Sequence, residues 1–176
     1  MTGRTSPTDE KPTPTGSVQL RDVADDDLPI FFEHQWDAEA TRRAAFPALH
    51  RDDFMAHWSR ILSDPAITKQ TILLDGEVAG NIVCYRQSGK QQIGYWLGRD
   101  YWGKGIATKA LAAFLQLVTT RPLYARVAKH NHASIRVLEK GGFVIRGEDN
   151  WFSGDNRDEV GEYIFELSGD ATTDAP

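Results

Sequence analysis

Residues 91–108, QQIGYWLGRDYWGKGIAT, constrain the fold of this chain more than any other stretch: they read as a strand, a short turn and the glycine-rich opening of a helix. Gly103 and Gly105 bring bare backbone N–H groups to a helix N-terminus, where unpaired donors and the macrodipole favour a phosphate. The following helix carries Ile106, Ala110, Ala113, Phe114 and Leu117 as an apolar stripe at helical spacing, which would pin the turn against a sheet. The expectation is an anionic ligand held by a rigid turn.

Two common phosphate motifs do not fit. No G-x-x-x-x-G-K-[ST] run exists, so this is not a P-loop. Gly103-x-Gly105-x-x-Thr108 supplies only part of a dinucleotide fingerprint, and the next strand-like segment, Pro122 to Val127, ends near Arg126 where an acid is needed. Strand–helix alternations are also too few for a Rossmann domain.

The string Trp102-Gly103-Lys104-Gly105-Ile106-Ala107 resembles the acetyl-CoA pyrophosphate loop of the GNAT N-acetyltransferase superfamily, [QR]-x-x-G-x-[GA], with Trp102 in place of Gln or Arg. A second motif follows about 25 residues on: Asn131-His132-Ala133-Ser134, then Val137-Leu138-Glu139-Lys140-Gly141-Gly142-Phe143. It resembles the N-x-x-S-x-x-x-L-E-K-x-G-F segment of the ribosomal-protein N-terminal acetyltransferase branch. The resemblance extends less specifically from Val18 to Leu167. It implies an α+β GNAT fold, a mixed and mostly antiparallel sheet that splits between its fourth and fifth strands, flanked by helices. It also implies acetyl-CoA as co-substrate, no metal, and direct attack of an amine on the acetyl carbonyl.

Composition agrees with one domain. The chain has 176 residues, 40% hydrophobic and 26% charged, enough for a single core and unremarkable for a globular protein. No apolar run approaches a membrane span and no secretory leader is seen, so a cytoplasmic location without membrane partners is expected. A net charge of −5 argues against a nucleic-acid surface. A homodimer is left open. Cys84 is the only cysteine and its setting, Asn81 to Tyr85, reads as a buried strand thiol.

Residues 1–16 and 169–176 are poor in apolar side chains and are expected to be disordered tails around one domain, 17–168. Within it the pattern predicts a strand over 17–23, a helix opened by Asp25-Asp26-Asp27 and running through Phe31, Phe32 and Trp36, and a second helix over 51–62. Strands over 69–74, 78–87 and 91–97 are joined by the hairpin signals Asp75-Gly76 and Ser88-Gly89. After the glycine-opened helix come a strand over 123–127, a helix over 133–140 stopped by Gly141-Gly142, and strands over 143–147 and 159–167 joined by a polar loop.

The resemblance assigns the co-substrate to Trp96, Leu97, Trp102, Gly103, Lys104, Gly105, Ile106, Ala107, Thr108, Asn131 and Ser134. A backbone N–H in the Tyr95-Trp96-Leu97 region would face the developing oxyanion. Many relatives protonate the leaving thiolate with a tyrosine, but the matching position is Leu138. Ser134 is then the candidate acid, with a helix-start hydroxyl bonded to backbone as the plainer reading. Gln92 stands near the usual glutamate base and cannot take a proton. Glu33, His34, Asp37 and His57 are candidate bases from a two-helix lid.

Asn131 suits a pantetheine amide or a plain helix N-cap. His130 and His132 form H-x-H but read as loop residues rather than metal ligands, for want of a third ligand nearby. Arg121, Arg126, Lys129 and Arg136 form the most basic neighbourhood, either a solvated face or contacts to the 3′-phosphate. Phe31, Phe32, Trp36, Phe46 and Trp58 give the acceptor side an aromatic excess, mostly core. The acceptor is an amine of unnamed class, because relatives act on peptide N-termini, amino acids, small amines and antibiotics. The alternative is a CoA-binding module without turnover.

Overall fold

The structure is a computed structural model describing residues 16–153 and 158–169. The expected tails therefore lie outside the described residues, apart from Gly16 and Gly169, as does the tip of the polar loop at 154–157. Strands β1 (Val18–Asp22), β2 (Thr68–Leu74), β3 (Glu77–Gln87), β4 (Lys90–Leu97), β5 (Leu123–Ala128), β6 (Val144–Ser153) and β7 (Asp158–Leu167) form one sheet. Its order is β1-β2-β3-β4-β5-β7-β6. Helices α1 (Leu28–Trp36), α2 (Ala38–Ala44) and α3 (Arg51–Ser63) precede β2, α4 (Ile106–Leu117) joins β4 to β5, and α5 (His132–Lys140) follows β5. Beyond Gly147, β6 continues to Ser153, longer than the sequence pattern indicates, because it pairs with β7 as far as Asp158.

Both hairpin signals act as expected. Asp75 and Gly76 have φ of 51° and 87°, and Ser88 and Gly89 have 50° and 79°, the two positive values that a tight hairpin turn requires. The resulting β2-β3-β4 meander is antiparallel. β4 and β5 run parallel and pair only at Gln91↔Leu123 and Gln92↔Tyr124. Beyond Gln92, β4 stays with β3 as far as Leu97, while β5 stays with β7. The sheet is thus split where the resemblance implies.

Successive residues on a strand face opposite sides, so β3 serves two cores. Ile82 and Cys84 join the cluster under α4 and α5, with Leu111, Phe114, Leu123 and Phe165, while Val83 packs with Phe31, Phe32, Phe54 and Trp58 from α1 and α3. The cysteine is buried, and burial pushes its thiol up, against a smaller pull from Arg121. The expected stripe of α4 needs correction. Ile106, Ala110, Leu111, Phe114 and Val118 are buried, whereas Ala113 is exposed and Leu117 is 57% exposed. Ala113 and Leu117 sit about 100° and 60° round the helix from Phe114, and the core follows the other flank.

The two-helix lid is also corrected, since α2 is a third helix. Its seven residues carry no apolar stripe; only Ala40 is buried. It is held by local chemistry: the Asp37 carboxylate caps it, accepting from the Ala40 N–H at 2.9 Å, and Glu39 pairs with Arg42 and Arg43.

The three acids before α1 form a single 3-10 turn rather than the first turn of the helix. Asp27 points inward. It accepts from Arg21 Nη1 and Nη2 at 2.6 and 2.7 Å, from Thr71 Oγ1 at 2.7 Å and from the Ala24 N–H at 2.9 Å, tying β1 and β2 to the start of α1. Burial alone would raise its pKa, but the bonds from Arg21, Thr71 and Ala24 outweigh it and hold the carboxyl down to about 2. The ionised network therefore stabilises the fold above the ordinary aspartate pKa, by roughly 2 kcal/mol, and the contribution is lost as pH falls towards 2. Asp27→Asn should lower stability in urea unfolding at neutral pH, and the gap to the parent should close as pH drops from about 5 towards about 2.

Candidate active site

The turn between β4 and α4 is a ring of free donors. Trp102 N donates to Arg99 O at 3.1 Å, and the next bonded amide is Lys109 N, which donates to Gly105 O at 3.1 Å. Among the described residues, the amides of 103 to 108 have no protein partner. Gly103 and Gly105 sit at φ of 71° and 73°, and a Cβ on either would meet nothing within 4 Å. Left-handed backbone turns the donors outward, and the space above them is open. This is a cradle for an anion of pyrophosphate size.

Trp102 explains itself here. Its indole N–H donates to Leu97 O at 3.1 Å, fastening the turn to the end of β4, and the Arg43 guanidinium of α2 lies 4.4 Å from its ring centre. The cleft beside the turn, about 510 Å³, takes Trp96 and Leu97 from β4, Trp102 to Thr108 without Lys104, and Asn131 and Ser134 from α5. Lys104 contributes its amide only; its side chain leans over Tyr101, 6.0 Å from the ring centre. Arg43, Arg136 and Lys140 supply the cleft's cations.

Of the expected basic neighbourhood, only Arg136 is there. Arg126 is bound to Glu162 at 2.6 Å and to Asp149, Lys129 pairs with Glu148, and Arg121 donates to the Val118 and Thr120 carbonyls. The carboxylates of Arg126 and Lys129 are brought by strands remote in sequence, which the local charge pattern does not show, while Arg121 turns back onto its own backbone.

The split exposes one edge of β4. Gly98 N donates to Ala79 O at 2.9 Å, so even-numbered residues here face β3, and a Cβ on Gly80 would run into the Trp96 carbonyl oxygen. Leu97 O accepts from Trp102, away from β3. Since N–H and C=O of one strand residue point to the same edge, the N–H groups of Tyr95 and Leu97 face the split and that of Trp96 does not. The Trp96 indole instead donates to His34 O at 3.1 Å, anchoring β4 to α1.

Across the split, Tyr95 Oη lies 2.7 Å from Ser134 Oγ and 3.3 Å from Ser134 O. Burial pushes the Tyr95 hydroxyl up to about 12, with the Ser134 bond pulling modestly the other way, so it holds its proton at neutrality. Asn131 is the N-cap of α5, its Oδ1 accepting from Ser134 N at 3.2 Å, which leaves its Nδ2 donors for the cleft. Leu138, at the position of the family's tyrosine, is fully buried. Sequence reasoning missed Tyr95 as a hydroxyl donor and Arg43 as a cleft cation. Tyr95 alternates with Ile93 and Leu97, which does mark it as pointing towards α4 and α5.

A second cavity of about 630 Å³ lies on the α1–α3 side and shares Tyr95, Trp96, Asn131 and Ser134 with the first. Of the four expected bases, only His57 lines it. His57 is exposed, and partial desolvation, with Arg60 second, still holds its pKa below the ordinary histidine value, which favours the neutral imidazole at pH 7. Asp37 is occupied as the α2 cap and by Arg99 at 3.6 Å, His34 is packed against Tyr101 and Gly98, and Glu33 is exposed. His130 Nε2 is 3.0 Å from Arg42 O and His132 is exposed. Gln92 is buried at the last β4–β5 pair. Of the aromatic set, expected to be mostly core with one or two lining the acceptor mouth, Phe31, Phe32 and Trp58 are buried, Trp36 and Phe46 are 48% and 50% exposed, and Phe46 lines the second cavity.

Residues 17–144 match the family model described as Acetyltransferase (GNAT) domain, and the chain belongs to that family. It is 32% identical over 85 residues to the uncharacterized N-acetyltransferase p20 of Bacillus licheniformis, covering 46% of this chain and 47% of the other. It is 30% identical over 107 residues to a Bacillus subtilis (strain 168) protein provisionally named ribosomal N-acetyltransferase YdaF, covering 56% and 58%. The chain thus spans about half the length of the curated relatives it matches. Spermidine N-acetyltransferase from Vibrio cholerae, solved with CoA and spermine, superposes with a TM-score of 0.72 at 15% identity over 86% of this chain and 95% of that one, a likeness of fold. Among the described residues, no helix is long and apolar enough to cross a membrane.

Gly105→Trp would fill the open space over the loop amides and strain a left-handed position. Isothermal titration should show CoA affinity reduced by at least about 100-fold, with the far-UV circular dichroism of the parent retained; normal affinity would remove the phosphate cradle from this turn.

Proposed function

We propose that this chain is an acetyl-CoA-dependent N-acetyltransferase whose acceptor is a primary amine, a protein or peptide N-terminus or a smaller molecule. The observation that carries this reading is the meeting of two cavities at Tyr95, Trp96, Asn131 and Ser134, one of them opening onto the unpartnered amides of 103 to 108. Acetyl-CoA supplies the thioester, and its pyrophosphate suits the glycine turn, with Arg43, Arg136 and Lys140 near it as counter-charges. Asn131 offers its amide donors to the pantetheine arm along the free edge of β4.

In the reaction a bond forms between the amine nitrogen and the acetyl carbon, and the carbon–sulfur bond breaks. The N–H groups of Tyr95 and Leu97 are the donors available to the developing oxyanion. His57, neutral and lining the acceptor cavity, takes the amine proton directly or through water. Ser134 Oγ gives a proton to the departing sulfur and regains one from water, which in turn takes up the proton that His57 releases. Tyr95 keeps its proton and donates to Ser134 Oγ, so that the serine proton is free to point away from it. Tyr95 is therefore a positioning residue that offsets the loss of a tyrosine at Leu138.

Free-thiol release from acetyl-CoA in the presence of an amine panel tests the function. Release should require an amine; none with any amine, alongside tight CoA binding, would make the chain a binding module without turnover. Ser134→Ala should lower kcat by about 100-fold and Tyr95→Phe by about tenfold, both with KM for acetyl-CoA unchanged. Full turnover in Ser134→Ala would remove the serine as acid. His57→Gln should abolish an acid limb of kcat/KM whose pKa lies below 6.5.

A further inference from the structure

The second cavity has walls of one chemistry and charges of another. Phe31, Phe54 and Trp58 line it from α1 and α3, Phe46 from the loop after α2, and Val83 from the sheet face they cover. Two of its polar side chains are already bonded. Gln35 is bonded through both ends of its amide to the Leu49 backbone, at 2.9 Å and 3.4 Å. Arg126 is held by Glu162 and Asp149. Asp53 is the one carboxylate lining the cavity among the described residues, against the guanidinium groups of Arg60 and Arg126.

We infer that the acceptor is a monoamine whose body beside the amine is apolar or aromatic, and that polycations such as polyamines and aminoglycosides are poor acceptors. This rests on the acetyl-transfer reading above. An ammonium group that leaves water for apolar walls must be paired or lose its proton. A molecule with several such groups meets one lining carboxylate, Asp53, beside the Arg60 guanidinium, while Arg126 already occupies Glu162 and Asp149, so most of its charges have no partner. A single amine meets that cost once, at the nitrogen whose proton His57 takes. Its apolar body gains from leaving water against the aromatic walls. Continuity with the thioester cleft at Tyr95 and Ser134 points the amine end at the split and leaves the body among the rings.

The full chain, saturated with acetyl-CoA, would be assayed for thiol release with 2-phenylethylamine, a tripeptide beginning with Phe, spermidine and kanamycin. The two apolar amines should exceed the two polycations in kcat/KM by at least about 100-fold; their ranking against each other distinguishes a small amine from a peptide N-terminus. Equal or better use of spermidine or kanamycin would overturn the inference while leaving acetyl transfer intact. Phe46 is 50% exposed, so Phe46→Ala puts little of the core at risk. It should raise KM for the phenyl-bearing acceptors by about tenfold with KM for acetyl-CoA unchanged; no change would count against the inference. Should no amine support thiol release, titration of 2-phenylethylamine and spermidine into the CoA-bound protein still decides: tighter binding of spermidine overturns the assignment of the cavity, and tighter binding of the phenyl amine upholds it.

Discussion

Everything functional in this chain depends on the failure of two strands to stay together. β4 and β5 share pairs only at Gln91 and Gln92, and each then follows its other neighbour. A parallel pair that opens leaves backbone donors without partners, which is costly unless water or a ligand meets them. The surrounding contacts keep the opening in place. The Trp96 indole holds β4 to α1, the Trp102 indole holds the cradle turn to Leu97, and Gly80 gives the Trp96 carbonyl room. Tyr95 and Ser134 bridge the gap with a single side-chain hydrogen bond.

The two cavities divide the electrostatic work. The cleft beside the turn collects cations and bare amides, fit for a polyanion, although the chain as a whole carries −5. Net charge therefore says little about a site where a handful of donors converge. The other cavity sets Phe31, Phe46, Phe54 and Trp58 beside His57 and holds Arg126 against Glu162 and Asp149, so the two cavities differ in charge as well as in place.

Much of this was legible in the sequence because its signals are local. Asp75-Gly76 and Ser88-Gly89 fix their own backbone angles, and Gly103 and Gly105 likewise fix theirs, so the hairpins and the cradle could be located. The N-cap reading of Asn131 and the burial of Cys84 followed from immediate neighbours. What could not be read depends on partners far along the chain. α2 has no apolar stripe and stands on a cap and Glu–Arg pairs, so periodicity passes over it, and with it Arg43. Arg126 and Lys129 look like free cations until β6 and β7 bring Glu148, Asp149 and Glu162 beside them. Leu117 matches a helical period yet faces water, because the period tells which residues share a face but not where the sheet touches it. Tyr95 is a strand residue like its neighbours until α5 sets Ser134 against it.

Trp102 stands where the loop pattern it resembles has Gln or Arg, and its two contacts give the residue a role of its own. The indole bonds Leu97 O on one side and lies under Arg43 on the other, so the identity of the loop residue is bound to a helix some sixty positions earlier in the chain. Glutamine at this position would leave the guanidinium without its ring. The stiffness of the loop is therefore shared with α2, a helix that no apolar stripe secures, so that whatever loosens α2 also loosens the cradle.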